Sequence, residues 1–357
     1  MVNEKEIINW LREEDERKLE TLWREANETR IVYVGDQVHL RGLIEVSNIC
    51  VRRCGYCGIS ADNRQIERYR MTEEEIMDCV RKAVGFGYGT VVMQAGEDYG
   101  ITREWMSRLI RRIKAETTLA VTLSLGERPN EDLIAWREAG ANRYLIRFET
   151  SNRDLYGRIH PPLGDNPSDR FAILANLKKL GYEVGSGIMI GIPGQTYEDL
   201  ARDILAFRTL DLDMIGVGPF IPHPETPLGR CLPDASANQV PNTEQMTYKV
   251  IALTRLVCPE ANIPSTTALA SLNKADGREL GLMRGANIVM PNLTLPQYRV
   301  MYEIYPNKAC IHETSEACAS CLSTRILNIG RSIGSGQGGR IKRRMRTPSK
   351  CGGKNHG

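Results

Sequence analysis

The sequence has no apolar run that approaches the roughly 20 residues needed to cross a membrane. Three of its first six residues are charged, and the segment lacks the apolar core of a secretory signal peptide. The chain is also too long for its ten cysteines to be those of a small disulfide scaffold, and six of them fall into two close clusters. We therefore expect a cytoplasmic protein without a membrane partner, whose clustered cysteines bind metal.

Acidic residues are absent from the last part of the chain. Residues 331–357 contain eight lysines and arginines and no aspartate or glutamate, so the rest of the protein is mildly acidic. From residue 330 onwards the composition is Gly-rich and basic, which predicts a disordered tail. A nonspecific contact with a polyanion is the alternative. No aromatic residue lies among these charges, and we expect no nucleic-acid partner.

Three cysteines lie within eight residues, at Cys50, Cys54 and Cys57, directly after the apolar run 38–49. Cysteine thiolates hold iron–sulfur clusters, and a four-iron cube takes four ligands. Because this loop offers only three, one iron would remain open to a small molecule. The alternative is half of a zinc knuckle, but structural zinc sites prefer paired CxxC units with a fourth ligand close by.

Apolar β-branched runs alternate with helical patterns along most of the chain. Eight alternations predict an α/β protein with a parallel sheet, closed into a complete (β/α)8 barrel of the TIM type; a partial or seven-stranded barrel is the alternative. We expect a helical cap over 1–36, the barrel over 37–293, a cysteine-bearing extension over 294–329 and the tail over 330–357. The predicted strands are 38–47, 89–95, 119–125, 143–149, 183–190, 214–220, 262–269 and 287–291, and the predicted helices between them are 73–86, 102–116, 130–139, 168–180, 196–210, 243–257 and 276–283.

Polar residues end most of the predicted strands, and in a parallel barrel these ends converge on one mouth. Arg147 and Glu149 share a face of the fourth strand because side chains alternate. Together they could hold the charged ends of a ligand, or they could form a buried ion pair that only supports the barrel. Arg41 interrupts the first strand, and if it faces inward it needs an anionic partner. If it faces outward it is an ordinary surface residue.

The spacing Cys50, Cys54, Cys57 resembles the CxxxCxxC loop of the radical S-adenosylmethionine (SAM) enzymes. Within them the chain resembles the HydE family of FeFe-hydrogenase maturases over roughly residues 35–325. Methylornithine synthase and biotin synthase are related families, so a radical SAM mutase or a sulfur-inserting enzyme is the first alternative; a non-enzymatic iron–sulfur carrier is the second. The runs that carry the HydE resemblance are IEVSN at 44–48, TLSLGE at 122–127, GPFIPHP at 218–224 and IVMPN at 288–292.

The resemblance implies a [4Fe-4S] cluster bound by the three cysteines, with SAM on its open iron. An electron donor reduces the cluster, and cleavage of SAM yields methionine and a 5′-deoxyadenosyl radical. The implied substrate is a small cysteine-bound iron complex with carbonyl and cyanide ligands, made by the partner maturase HydG. The implied product passes to the scaffold HydF, where the two-iron subcluster of the H-cluster is assembled.

The resemblance also assigns roles to individual residues. For Gln94 and Ser124 ordinary loop capping is the alternative, for Arg170 a solvated helix charge, and for the C-terminal cysteines a zinc site or an empty triplet. The expected SAM contacts are Tyr56, Gln94, Ser124, Arg147, Glu149 and Arg170; the expected substrate contacts are Arg41, Arg147, Thr266, Thr267, Met290 and Tyr305; and the expected ligands of a second cluster, [2Fe-2S] or [4Fe-4S], are Cys310, Cys318 and Cys321.

Overall fold

The computed structural model describes residues 2–164, 168–231 and 236–342. Strands and helices alternate through most of this range, as predicted. The strands are β1 Gln37–Ser47, β2 Thr90–Ala95, β3 Ala120–Ser124, β4 Arg143–Leu145, β5 Glu183–Ile190, β6 Met214–Pro219, β7 Ile288–Val289 and β8 Ser332–Ile333. The helices are α1 Glu4–Arg12, α2 Glu16–Val34, α3 Glu73–Gly85, α4 Arg103–Glu116, α5 Asn130–Glu138, α6 Arg153–Ile159, α7 Arg170–Lys179, α8 Tyr197–Thr209, α9 Glu244–Val257, α10 Thr267–Leu272, α11 Gly277–Met283, α12 Pro296–Arg299 and α13 Ser315–Asn328.

Seven parallel strands form a curled sheet in the order β6-β5-β4-β3-β2-β1-β7, and β8 pairs with the start of β1. Helices α3 and α8 begin with reciprocal capping boxes at Thr72 and Glu75 and at Thr196 and Asp199, which satisfy backbone amides that the helix leaves free. The N-terminal helices α1 and α2 pack against α8 and α9. No helix in the described ranges is both long and apolar enough to cross a membrane.

The prediction of a complete eight-stranded barrel overstates the sheet. Residues 262–269 do not form the predicted strand; they contribute single bridges, from Asn262 to Met214 of β6 and from Pro264 to Ile288 of β7. Pro264 has no amide hydrogen to donate to a ladder. Two residues later the side chain of Thr266 caps α10 by accepting a hydrogen bond from the amide of Leu269. The sequence between β6 and β7 therefore turns into a helix after two bridges.

Residues 330–342, predicted as part of a disordered tail, form a C-terminal strap across the end of the barrel opposite the strand C-termini. The carbonyl of Gln337 accepts a hydrogen bond of 2.9 Å from Oγ1 of Thr90 on β2. Farther along, Arg340 forms an ion pair of 2.6 Å with Asp211, next to the start of β6. Composition gave no sign of this strap because backbone carbonyls and ion pairs hold it, not apolar side chains. The rest of the predicted tail, 343–357, lies outside the described residues.

Candidate functional site

The loop after β1 carries the first three cysteines and is held by hydrogen bonds from several elements. The Cys50 thiol accepts a hydrogen bond of 3.3 Å from the amide of Glu97, which follows β2. The amides of Gly55 and Gly58 donate to the carbonyls of Ile159, at the end of α6, and of Ile304. The loop is therefore fixed at the mouth of the barrel by its own backbone, with all three thiols half-buried.

Burial raises the pKa of each of these thiols, and that of Cys57 reaches about 12. In Cys54 and Cys57 the neighbouring cysteines raise it further, because adjacent thiolates repel each other. Three thiolates therefore need a cationic core, and an iron–sulfur cluster supplies one. In the described ranges no three His, Cys, Asp or Glu side chains surround one point as ligands of a single ion would. A cluster fits this arrangement because each cysteine binds a different iron.

Tyr56, Arg147 and Glu149 meet beside this loop. The Glu149 carboxylate lies 3.5 Å from the Tyr56 hydroxyl through Oε1, and Oε2 accepts a hydrogen bond of 3.1 Å from Nε of Arg147. The backbone of Glu149 has φ 60°, a left-handed conformation that costs energy for a residue other than glycine. The Arg–Glu ion pair considered from the sequence is present, yet 33% of the Arg147 side chain remains exposed to a ligand.

Arg170 is not the solvated helix charge considered as its alternative. Its guanidinium donates 2.6 Å to Oε1 of Glu127 and 3.1 Å to the carbonyl of Arg147, and Nη2 lies 2.9 Å from Nε2 of His160. Only 11% of the side chain is exposed. The second carboxylate oxygen of Glu127 pairs with Arg52 of the cysteine loop at 2.9 Å. Arg170 therefore belongs to a charged network that reaches the thiols.

Arg52 also pairs with Glu97 at 2.8 Å, and both side chains are buried. Sequence reasoning assigned no role to Arg52, Glu97 or Glu127. The sequence could have indicated all three as site residues. Glu97 and Glu127 follow the ends of the second and third strands, and Arg52 lies between two predicted ligands.

Gln94 and Ser124 are neighbours in the register of β2 and β3, and Glu45 of β1 is the other neighbour of Gln94. Nε2 of Gln94 donates 3.2 Å to the hydroxyl of Tyr302, so Gln94 makes a contact across the mouth instead of capping its own loop. Ser124 is half-buried. Tyr302 is fully buried, and the sequence analysis did not single it out.

Arg41 faces the barrel interior, where its guanidinium donates 2.7 Å to Sδ of Met214 and 2.8 Å to the carbonyl of Gly338 in the C-terminal strap. Burial, reinforced by the nearby Arg143, lowers the pKa of Arg41 to about 9. Arg143 donates 3.0 Å to Thr90 and 3.1 Å to the carbonyl of Gln337. Arg41 and Arg143 thus lie together at the strap end of the barrel, while Arg147, another expected substrate contact, lies at the mouth.

The other expected substrate residues are spread along the barrel. Thr266 caps α10 beside Gly218 of β6, and Thr267 is the first residue of that helix. Met290 follows β7, whose register sets Val289 beside Leu40, so Met290 lies at the level of Arg41. Burial raises the pKa of Tyr305, and Arg147 is among the charges that act on it. Met290 thus lies nearer to Arg41, and Tyr305 nearer to Arg147.

Cys310, Cys318 and Cys321 line a single cavity of about 370 Å³. The thiols of Cys310 and Cys318 share a hydrogen bond, which lowers the pKa of Cys310. Arg278, which lines the same cavity, lowers it further. The donor set and its surrounding positive charge fit an anionic sulfur-bound metal group.

Comparison with known proteins agrees with this geometry. Residues 44–206 match the model of the radical SAM superfamily, which implies a four-iron cluster and SAM as cofactors. The chain is 46% identical over 321 residues to the "[FeFe] hydrogenase maturase subunit HydE" of Thermotoga maritima, covering 90% of this chain and 89% of the relative. It is 30% identical over 278 residues to a 3-methylornithine synthase of Methanosarcina acetivorans, covering 77% and 75%.

Among solved structures, that of methylornithine synthase (PylB) superimposes with a TM-score of 0.81 at 27% identity, covering 94% of each chain. The fold is therefore that of the radical SAM barrels. At 46% identity over nine-tenths of the chain, the protein is a radical SAM enzyme that belongs to the HydE family of FeFe-hydrogenase maturases.

Proposed function

We propose that this enzyme cleaves SAM reductively and acts in assembling the two-iron subcluster of the FeFe-hydrogenase H-cluster. Its substrate would be a small cysteine-bound iron complex with carbonyl and cyanide ligands. The observation that carries the proposal is the meeting of the three-cysteine loop with Glu149 and Arg147 at the barrel mouth, above an interior lined by Arg41 and Arg143. The high identity to a HydE protein supports the assignment to maturation.

When bound, the reduced cluster and SAM supply a 5′-deoxyadenosyl radical and methionine. Cys50, Cys54 and Cys57 would hold the cluster.

The residues beside the cysteine loop can bind the charged ends of SAM. The Glu149 carboxylate can accept hydrogen bonds from an ammonium group, and the exposed part of Arg147 can donate to a carboxylate. Arg170, fixed by Glu127, positions Arg147 through its hydrogen bond to the Arg147 carbonyl. Gln94, Ser124 and Tyr56 offer neutral polar groups at the same mouth.

The barrel interior supports an anionic substrate. Nε of Arg41 and Oγ1 of Thr122 are buried without a hydrogen-bond partner, and Arg41 and Arg143 place two guanidinium groups in one layer. Arg143 is already paired with Glu183 at 2.6 Å, and both arginines donate to carbonyls of the strap. Nε of Arg41 is therefore the donor left for a further acceptor, and a cyanide or carboxylate group would supply one. Thr266, Thr267, Met290 and Tyr305 would line the path between this layer and the mouth.

We also propose that Cys310, Cys318 and Cys321 bind a second iron–sulfur cluster, since their thiols share one cavity with cationic residues. HydG would supply the iron complex, HydF would receive the product, and a reducing electron donor would serve the first cluster. The name of the Thermotoga maritima relative supports a role in hydrogenase maturation, and these individual partners are what the family resemblance implies.

The decisive experiment is hydrogenase maturation in a strain that lacks its own HydE. Restored hydrogen production supports the proposal, and its absence from well-expressed, cluster-loaded protein excludes it. In parallel, deoxyadenosine release on adding dithionite and SAM separates an enzyme from an iron–sulfur carrier, which would release none.

A methylornithine-synthase-like mutase is the second candidate, favoured by the fold match and by 30% identity. It predicts turnover of an amino acid and about four irons per chain after anaerobic reconstitution, against about six to eight with a second cluster. Turnover of an amino acid without hydrogenase maturation would favour this candidate.

A further inference from the structure

A short segment, residues 301–308, joins the two cysteine sites. Its carbonyls accept hydrogen bonds from the first cysteine loop: Met301 from Asn48 Nδ2 at 2.8 Å and Ile304 from the Gly58 amide at 2.9 Å. The carbonyl of Glu303 presses so closely on Gly58 that a Cβ there would collide with it. The 301–308 segment therefore forms one wall of the loop that carries Cys57.

Lys308 anchors the far end of this segment. Its ammonium forms an ion pair with the Glu45 carboxylate on β1, and the two side chains are 5% and 1% exposed. The second oxygen of Glu45 accepts a hydrogen bond of 2.9 Å from Asn292. The same ammonium donates 3.2 Å to the carbonyl of Tyr302. A buried charge pair with these contacts fixes the segment on the barrel, because either charge alone would be left uncompensated.

The anchor also reaches the expected SAM contacts. The Lys308 ammonium lies 5.2 Å from the ring centroid of Tyr302, close enough for a cation–π interaction. The Tyr302 hydroxyl accepts the hydrogen bond from Gln94, and Gln94 is the neighbour of Glu45 in the β1–β2 register. A ring of contacts beneath the cysteine loop thus connects four residues: Glu45, Lys308, Tyr302 and Gln94.

We propose that Lys308 is a positioning residue of the radical SAM site. Paired with Glu45, it holds the 301–308 segment against the cysteine loop and orients Tyr302 and Gln94 at the mouth. Lys308 acts through these residues and not by touching the reacting atoms. The inference depends on the chain being a radical SAM enzyme and not on the identity of its substrate.

The test compares Lys308→Met with Lys249→Met in the anaerobically reconstituted full-length protein. Lys249 is also buried and paired, with Glu14 at 2.9 Å, but it joins α9 to the N-terminal helices. The SAM dissociation constant is measured from the SAM-induced change in the electron paramagnetic resonance spectrum of the reduced cluster. We expect it to rise about tenfold or more in Lys308→Met and to stay within about twofold in Lys249→Met. Equal affinities in the two variants would overturn the proposal.

A double variant keeps the test decisive if Lys308→Met unfolds. Glu45→Gln combined with Lys308→Met removes both charges, so it relieves the unpaired carboxylate without restoring the anchor. We expect its melting temperature to recover while SAM affinity stays low. If the melting temperature and the SAM affinity both recover, Lys308 only compensates the charge of Glu45, and the positioning role is refuted.

Hydrogen exchange gives a readout that needs no bound cofactor. The Gly58 amide, which donates to Ile304, should exchange faster in both Lys308 variants than in the natural protein and in Lys249→Met. Unchanged protection at Gly58 in the Lys308 variants would likewise contradict the proposal.

Discussion

The Tyr56 hydroxyl lies 3.5 Å from Oε1 of Glu149, so the loop with the three thiols touches the chain just after β4. The backbone of Glu149 has φ 60°, which is strained for a residue other than glycine. A strained residue that joins two parts of a mouth is typical of a functional site. We therefore expect this carboxylate to contribute to SAM binding.

Glu149→Gln keeps the shape of the side chain and removes its charge. We expect SAM affinity to fall by about tenfold to a hundredfold, because a charge-assisted hydrogen bond to an ammonium is roughly twice as strong as a neutral one. The dissociation constant from cluster spectroscopy checks this. Glu116→Gln, which removes a helix-surface ion pair with Arg112, is the control and should leave the affinity unchanged. Equal affinity in Glu149→Gln would remove this carboxylate from the SAM site.

His160 should make the stability of the cluster-free protein depend on pH. Burial, followed by the positive charge of Arg170, lowers the pKa of His160 from 6.5 to about 4. The unfolded chain then binds a proton between these two values that the folded protein does not bind. The contribution of His160 to the free energy of unfolding is therefore fully present above pH 6.5. It is lost as the pH falls towards 4, and the loss is about 3 kcal/mol at most.

Urea unfolding of the cluster-free protein between pH 4 and 7 measures this dependence. His160→Gln should flatten the slope in that window, whereas substitution of the exposed His312 should leave it unchanged. A His160→Gln profile parallel to that of the natural protein would contradict the assignment.

The C-terminal strap should stabilise the barrel. A chain that ends at residue 329 loses the carbonyl acceptors of Arg41 and Arg143 and the ion pairs of Arg340 with Asp211 and Glu260. Stranding buried guanidinium groups costs several kcal/mol, so we expect the free energy of unfolding to drop by about 3 kcal/mol or more. A chain that ends at residue 342 keeps these contacts and is the control. Similar unfolding of the two truncated chains would show that the strap contributes nothing.

Substitution of the second cysteine site should change iron content without touching the first cluster. Cys310→Ser with Cys318→Ser should reduce iron from about six to eight atoms per chain to about four. The spectral response of the remaining cluster to SAM should persist. Cys258→Ser, in a half-buried thiol after α9, should leave iron content unchanged. Full iron content in the double variant would exclude a second cluster at these residues.

Local patterns predicted most of the architecture. The capped helices at Thr72 and Thr196 and strand β5 appear at their expected places because a short stretch of sequence contains the whole cause. The prediction of a strand at 262–269 was wrong. The sequence pattern there is typical of a strand, but it does not take into account that a proline cannot donate a hydrogen bond to the neighbouring strand. Composition likewise marked the strap as disordered, since no apolar side chain holds it.

Contacts between residues far apart in the chain explain why several residues of the site were not predicted from the sequence. Lys308 and Glu45 are 263 positions apart, and Arg41 meets Gly338 across 297 positions. No periodicity connects such partners. Arg52 and Glu97 could have been suspected because both border predicted functional residues, but only folding brings their charges together.

The C-terminal strap crosses the sheet from β1 to the start of β6, so it covers the end of the barrel that lies away from the cysteines. If the substrate binds near Arg41 as proposed, we expect it to enter and leave through the cysteine end, past the rim where SAM would sit. We therefore expect an obligatory sequence of loading, in which the deep ligand enters before the cofactor and leaves after its fragments.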